Sequence, residues 1–255
     1  MIKTLSSILD SESHRSGTGL VVDCYETSVI PSIYHDCESI LRESGNSFSC
    51  RVIGMTNRMS QAQTLTGRWL VAHAFGIPLE ELLCSDMITL SAYGKPKFSD
   101  TSKGWFSISH SGTRVIVAKS DYPIGVDIEQ CHRTVPYIPY TVLTASEQVL
   151  VGSDYDAFLY MWVRKESVAK LVGTGLSMPL RFLDCSRNPI RFGGVALHGQ
   201  SWVGEALTPE IFVYNFDRTD GEYIGALASY HHDVCLAYHF VDSRETKVIN
   251  KASFS

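Results

Sequence analysis

Ile108-Ser109-His110-Ser111-Gly112-Thr113-Arg114-Val115-Ile116-Val117-Ala118 can be laid over Leu227-Ala228-Ser229-Tyr230-His231-His232-Asp233-Val234-Cys235-Leu236-Ala237 with apolar residues over apolar ones. Upstream of each stretch runs a helical pattern with a tryptophan at a similar place, Trp69 in one and Trp162 in the other. A duplicated α+β unit accounts for both features and sets a ligand cleft between its halves. The expected organisation is an N-terminal α+β half over 1–127, a C-terminal α+β half over 128–242, and a polar, frayed tail over 243–255.

Outward from these stretches the pattern alternates in the same way twice. From Asn57, Ala62, Leu65, Trp69, Ala72 and Phe75 recur at three and four residues, which predicts a helix closed by Gly76 and Pro78. A further helical turn or two follows over 79–83. Strands are expected near 88–91, 105–109, 114–119 and 124–128, punctuated by Tyr93-Gly94-Lys95-Pro96, Ser111-Gly112 and Asp121-Tyr122-Pro123. The second cycle has a short helix over 145–151, a longer one over 157–172 ending at Gly173 and Gly175, and strands near 181–184, 211–216, 223–229 and 234–241. The first fifty residues yield only the β-branched run Leu20-Val21-Val22 and a Ser/Gly-rich segment over 43–49.

Composition narrows the function classes. Apolar residues are 44% and charged ones 19%, enough for a core and too apolar for a disordered chain. Lys and Arg total 22 against 27 Asp and Glu, a formal charge of −5, so a nucleic-acid coat held by overall positive charge is not expected. A small basic pocket for a phosphorylated ligand remains compatible with it. Seven scattered cysteines with no Cys-x-x-Cys pair suit a reducing cytoplasm, not a disulfide framework or zinc cluster. The N-terminal residues lack the pattern of a signal peptide, and no run approaches ~18 apolar residues, so neither export nor a membrane span is expected.

Four segments carry chemistry. In Gly125-Val126-Asp127-Ile128-Glu129 the strand period puts Asp127 and Glu129 on one face and Val126 and Ile128 in the core. Two neighbouring carboxylates repel, and a hard divalent cation such as Mg²⁺ relieves the repulsion; an ordinary solvent-facing strand would show the same alternation. In Trp162-Val163-Arg164-Lys165-Glu166-Ser167-Val168-Ala169-Lys170, residues 162, 166 and 170 form one helical row, which is also the spacing of a plain surface ion pair. Gly173 and Gly175 allow a close backbone approach or a sharp turn. Ser109, His110 and Ser111 gather polar donors at a strand end, and Lys95 puts a cation on a tight turn. A Ser/His nucleophile is a poor reading, because adjacent strand residues face opposite sides and the Gly-x-Ser-x-Gly elbow is missing. His231-His232-Asp233 does not make a metal site for the same geometric reason.

Taken in order, Tyr93-Gly94-Lys95-Pro96, Phe106 through Gly112, Ile124 through Glu129, and Trp162 through Lys170 with Gly173-Thr174-Gly175-Leu176-Ser177 resemble the Sfp-type 4′-phosphopantetheinyl transferases. The likeness runs from about Thr64 to Leu180 and more faintly through 234–238. It implies a pseudo-two-fold, monomeric α+β enzyme that moves the phosphopantetheine arm of coenzyme A to a serine of an acyl or peptidyl carrier protein and leaves adenosine 3′,5′-bisphosphate. It also implies Mg²⁺ held by Asp127, Glu129 and Glu166, and a phosphate of coenzyme A held by Lys170. Lys95, Ser109 and His110 would sit at the nucleotide and phosphate end, and Glu147 would be a further acid beside the metal. The general base is then Glu166 or Glu147, directly or through water. Members of the family place basic residues around the 3′-phosphate; the matching stretch here offers Arg51 and Arg58, has Gln63 at the helix start, and carries Arg68 one or two turns later. The long, duplicated pattern resembles broad-specificity members that serve polyketide, nonribosomal peptide, siderophore or lipid synthesis. A carrier surface is expected in 131–140. A coenzyme A-binding relative without turnover and a Mg²⁺-dependent pyrophosphate hydrolase are the competing readings.

Overall fold

The computed structural model describes residues 19–131, 137–192, 210–217 and 221–243. It opens with β1 (Leu20–Ser28), followed by α1 (Ile33–Ser44), α2 (Ser47–Ile53), α3 (Arg58–Phe75) and α4 (Leu79–Cys84). A small hairpin of β2 (Ile88–Leu90) and β3 (Pro96–Phe98) leads to β4 (Trp105–Ser111), β5 (Arg114–Ser120) and β6 (Ile124–Gln130). Next come α5 (Ala145–Val151) and α6 (Tyr155–Val172), a two-residue pair of β7 (Leu183–Asp184) and β8 (Arg191–Phe192), and β9 (Phe212–Asp217), β10 (Tyr223–Ser229) and β11 (Val234–Phe240). The mixed α+β expectation is met. None of the described helices is long and apolar enough to cross a membrane.

The Ser/Gly-rich segment over 43–49 is a helix junction, not a loop. Gly45 takes φ 55° to end α1, and the Asn46 side chain accepts from Ser49 N to start α2. The two long helices are punctuated in the same manner. Asn57 caps α3 and Gly76 ends it at φ 64°; Asp154 caps α6 and Gly173 ends it at φ 81°. The apolar side of α3, including Leu65, Trp69 and Ala72, packs with α1, α4 and the inner residues of β4 and β5 into one core. Val163, Val168 and Leu171 of α6 pack with Val213, Ala226 and Ala228 of β9 and β10 into another.

Among the described residues, seven strands form two sheets, in the orders β11-β1-β5-β4 and β6-β10-β9. Every pairing within them is antiparallel except β1 with β11, which is parallel from Leu20↔Val234 to Glu26↔Phe240. The overlay of 108–118 on 227–237 therefore does not describe two equivalent hairpins. The turn Gly112-Thr113, with Gly112 at φ 53°, folds β4 directly back on β5. The longer link 230–233 instead carries the chain from β10 in one sheet to β11 in the other.

Where the sheets meet, β4 and β6 are joined by side chains. Ser107, Ser109 and Ser111 accept hydrogen bonds at Oγ from the backbone N–H groups of Val126 (3.0 Å), Ile128 (3.4 Å) and Gln130 (3.1 Å). The constant 19-residue offset means that the two strands run parallel. Serine hydroxyls thus occupy the acceptor role that carbonyls play in a sheet ladder. Val126 and Ile128 are buried beneath, so Asp127 and Glu129 face the other way, as the alternation requires.

Candidate active site

The site is built where α6 lies across β6. A Cβ on Gly125 would come 2.0 Å from Ser167 O and 2.4 Å from Leu171 N, so only glycine allows the helix this near the strand. That approach brings the helix face carrying Glu166 and Lys170 over Asp127 and Glu129. Lys170 Nζ lies 2.7 Å from Asp127 Oδ1 and 2.7 Å from Ser109 Oγ. Ser109 donates to Asp127 Oδ1 at 2.7 Å, and Ser111 donates to Glu129 Oε2 at 2.6 Å. Glu166 has its pKa raised to about 7, first by burial and then by the negative charge of Asp127, with Glu129 adding to it and Lys170 opposing it. The four expected residues Asp127, Glu129, Glu166 and Lys170 are therefore one electrostatic group.

The donor set suits a hard divalent cation. Asp127 Oδ2 and Glu166 Oε1 are both buried with no hydrogen-bond partner among the described residues, an expensive arrangement unless something positive completes it. As the side chains stand, no three His, Cys, Asp or Glu groups among the described residues enclose a metal position, and Lys170 neutralises Asp127 in its place.

Residues 123–228 match the family described as the 4′-phosphopantetheinyl transferase superfamily. The chain is 38% identical over 96 residues to 4′-phosphopantetheinyl transferase Sfp of Bacillus subtilis (strain 168), covering 34% of this chain and 42% of the relative. It is 29% identical over 131 residues to 4′-phosphopantetheinyl transferase gsp of Aneurinibacillus migulanus, with 49% of this chain and 52% of the relative covered. To 4′-phosphopantetheinyl transferase AcpT of Escherichia coli (strain K12) it is 30% identical over 117 residues, 43% of this chain and 56% of the relative. The chain spans about half the length of the curated relatives it matches.

The matched segment contains Asp127, Glu129, Glu147, Glu166 and Lys170, but Glu147 does not join the others. Glu147 is fully buried in the capping box of α5, where its Oε2 accepts from Thr144 N at 2.8 Å and pairs with Lys165 Nζ at 2.7 Å. Its Oε1 accepts from Cys185 N at 2.8 Å. Lys165, equally buried, donates onward to Leu180 O and Leu183 O. The expectation of Glu147 as an acid beside the metal is corrected: neighbours on a helix point about 100° apart, so the partner of Lys165 is turned away from Glu166. Its carboxylate holds the chain after α6 against α5.

The remaining expected residues lie outside the matched segment and fall into two places. Ser109 is buried, and its hydroxyl is committed to Asp127 and Lys170. His110 is exposed at the rim, and partial desolvation of its ring followed by the Lys170 charge lowers its pKa. Lys95 donates to Ile124 O at 3.1 Å and Leu171 O at 3.4 Å, tying the start of β6 to the end of α6. Burial and then Lys170 lower its pKa to about 8. Gly173 lies beside this same side chain, where a Cβ would meet Lys95 Cδ at an ordinary 3.5 Å, and it is the positive φ of Gly173 (81°) and Gly175 (54°) that calls for glycine.

Arg51 and Arg58 separate. Arg58 lies 5.8 Å over the Tyr34 ring and donates to Gln61, lining an open pocket of about 680 Å³ with His35, Glu38 and Arg42. Arg51 sits 5.6 Å over Phe48, whose ring Arg68 covers at 4.0 Å. Arg68 is only 6% exposed, and its pKa is lowered to about 10 by burial and then by Arg51. Among the described residues neither arginine has a carboxylate partner. The sequence placed Arg68 by turn count alone; its burial comes from α2 packing on α3, where Gln61 donates to Val52 O. Gln63 donates to Gly112 O at 2.9 Å and pins the β4–β5 turn. Residues 132–136 of the expected carrier surface lie outside the described residues.

Proposed function

We propose that the protein transfers the 4′-phosphopantetheine arm of coenzyme A to the serine of an acyl or peptidyl carrier protein, with Mg²⁺ as its metal and adenosine 3′,5′-bisphosphate as the leaving product. The observation that carries this is the meeting of Asp127 and Glu129 with Glu166 and Lys170, in the segment that matches the superfamily. Asp127, Glu129 and Glu166 would hold the ion. A bound Mg²⁺ supplies a divalent charge against the pyrophosphate and the developing negative charge of the leaving phosphate.

The chain's own groups divide the rest of the work. Lys170 gives a point charge to a phosphate of coenzyme A, with Lys95 and His110 beside it. Glu166 accepts the carrier serine proton, directly or through water. The serine oxygen bonds to the β-phosphorus as the bond from that phosphorus to the bridging pyrophosphate oxygen breaks in line. The electron pair leaves with the bisphosphate, and no covalent enzyme intermediate is needed. Arg51, with Arg68 behind it, is the basic pair assigned to the 3′-phosphate; Arg58 stands over Tyr34 instead.

The same reading includes a pseudo-two-fold monomer acting in the cytoplasm. Its support is an 18-residue helix ahead of each three-strand unit, α3 before β4–β5–β6 and α6 before β9–β10–β11. The third strand of each unit enters the other sheet. Residue 127, the expected boundary between the halves, lies within β6, so this reading takes the junction after Gln130. Seven free cysteines suit a reducing compartment.

Intact mass spectrometry of an apo carrier protein with this protein and coenzyme A, with Mg²⁺ and with chelator, tests the reaction. One added phosphopantetheine, only with metal, is the expected result. Cleaved coenzyme A beside unmodified carrier would make it a hydrolase, and intact coenzyme A bound without transfer would make it a binding protein.

A further inference from the structure

We propose that Ser111 is a positioning residue that holds Glu129 for the metal. The proposal rests on the reading of Asp127, Glu129 and Glu166 as cation ligands.

Hydrogen-bond accounting at the β4–β6 junction assigns the serine protons. A backbone N–H and an ammonium can only donate, and a hydroxyl has a single proton. Ser111 Oγ accepts from Gln130 N at 3.1 Å, so its proton goes to Glu129 Oε2 at 2.6 Å. Ser109 Oγ accepts from Ile128 N and from Lys170 Nζ, so its proton goes to Asp127 Oδ1. Ser107 accepts from Val126 N at 3.0 Å in the same register, with no carboxylate bonded to its hydroxyl among the described residues. Two of the three serines therefore do two things, joining the strands and gripping an acid, and the third does only the first.

The grip has a consequence for the ion. A charge-assisted O–H···O⁻ bond fixes one oxygen of each carboxylate on the β4 side. For Asp127, only 4% exposed, that leaves the buried and unpartnered Oδ2 for a cation. Glu129 has a longer side chain with more rotamer freedom to lose, and repulsion from Asp127 and Glu166 drives it away from the cluster. Ser111 opposes both. Ser109 also touches Lys170, so its loss would mix two effects, whereas Ser111 is the serine whose hydroxyl reaches Glu129.

Mn²⁺ binding by calorimetry on the full chain, without coenzyme A, reads this directly in the wild type, Ser111→Ala, Ser111→Thr and Ser107→Ala. Removing an outer partner of a metal ligand costs about 10-fold or more in metal affinity, and Ser111→Ala should show that loss. Ser111→Thr, which keeps the hydroxyl, should restore the affinity. Ser107→Ala should bind Mn²⁺ like the wild type, although its melting temperature falls as that of Ser111→Ala does. Equal losses of affinity in Ser107→Ala and Ser111→Ala, or wild-type affinity in Ser111→Ala, would overturn the proposal while leaving the metal reading intact. A wild-type protein that binds no Mn²⁺ would defeat the metal reading and this proposal with it.

Discussion

Replacing Glu166 by glutamine should make the metal-free protein more stable above neutral pH while removing transfer. Burial and the charges of Asp127 and Glu129 raise the folded pKa of Glu166 from 4.5 to about 7. Between those values the folded state binds the extra proton and the unfolded state does not, so stability contributed by the neutral acid is present below pH 4.5 and is lost as pH rises through 7. At about 1.4 kcal/mol per unit, ionising Glu166 costs the fold about 0.8 kcal/mol at pH 5 and on the order of 3 kcal/mol at pH 8. Glutamine has the shape without the charge and escapes the cost. For a chain of this size, ~3 kcal/mol corresponds to roughly 6–12 °C in melting temperature. The assay is urea and thermal unfolding in chelator from pH 4.5 to 8.5, for wild type and Glu166→Gln. The two should converge below pH 4.5, diverge between pH 4.5 and 7, and run at a constant gap above that, with the variant on top. Parallel curves, or a variant that is less stable at pH 8, would refute the electrostatic account of the site. Added Mg²⁺ should close the gap at high pH by stabilising the wild type alone.

Gly125→Ala should destabilise the protein by more than about 2 kcal/mol and abolish transfer, because its Cβ would stand 2.0 Å from a backbone oxygen of α6; denaturant midpoints and soluble yield measure it. Glu147→Ala should cost about 3–5 kcal/mol by leaving buried Lys165 unpaired, yet the surviving folded fraction should keep its kcat; a selective fall in kcat with normal stability would return Glu147 to the chemistry. Arg51→Ala should weaken coenzyme A much more than 3′-dephospho-coenzyme A by calorimetry, and equal losses for both would remove Arg51 from the 3′-phosphate.

The parts of this protein written in local sequence are those that need only neighbours along the chain. Strand alternation places Asp127 and Glu129 on one face and Val126 and Ile128 in the core, and a four-residue helical spacing aligns Glu166 with Lys170. Glycine and capping residues mark the ends of α3 and α6. Helices α1 and α2 escaped notice because the Gly45-Asn46 junction has the composition of a loop while acting as two caps back to back. Glu147 shows the limit from the other side. An acid beginning a helix looks the same in sequence whether it caps and pairs internally or faces a ligand, and Lys165, eighteen residues on, decides the matter.

Sequence alone determined most element types from Asn57 onward, the carboxylates with their lysine, and the family resemblance, since periodicity and motif spacing are local properties. Only the tertiary structure decided that β11 leaves its own unit to pair with β1, that Arg68 is buried against Phe48 beside Arg51, and that serines of β4 bond to both the backbone and the acids of β6. These depend on which surfaces meet across gaps of tens to hundreds of residues, where the chain between sets no geometry and packing sets all of it.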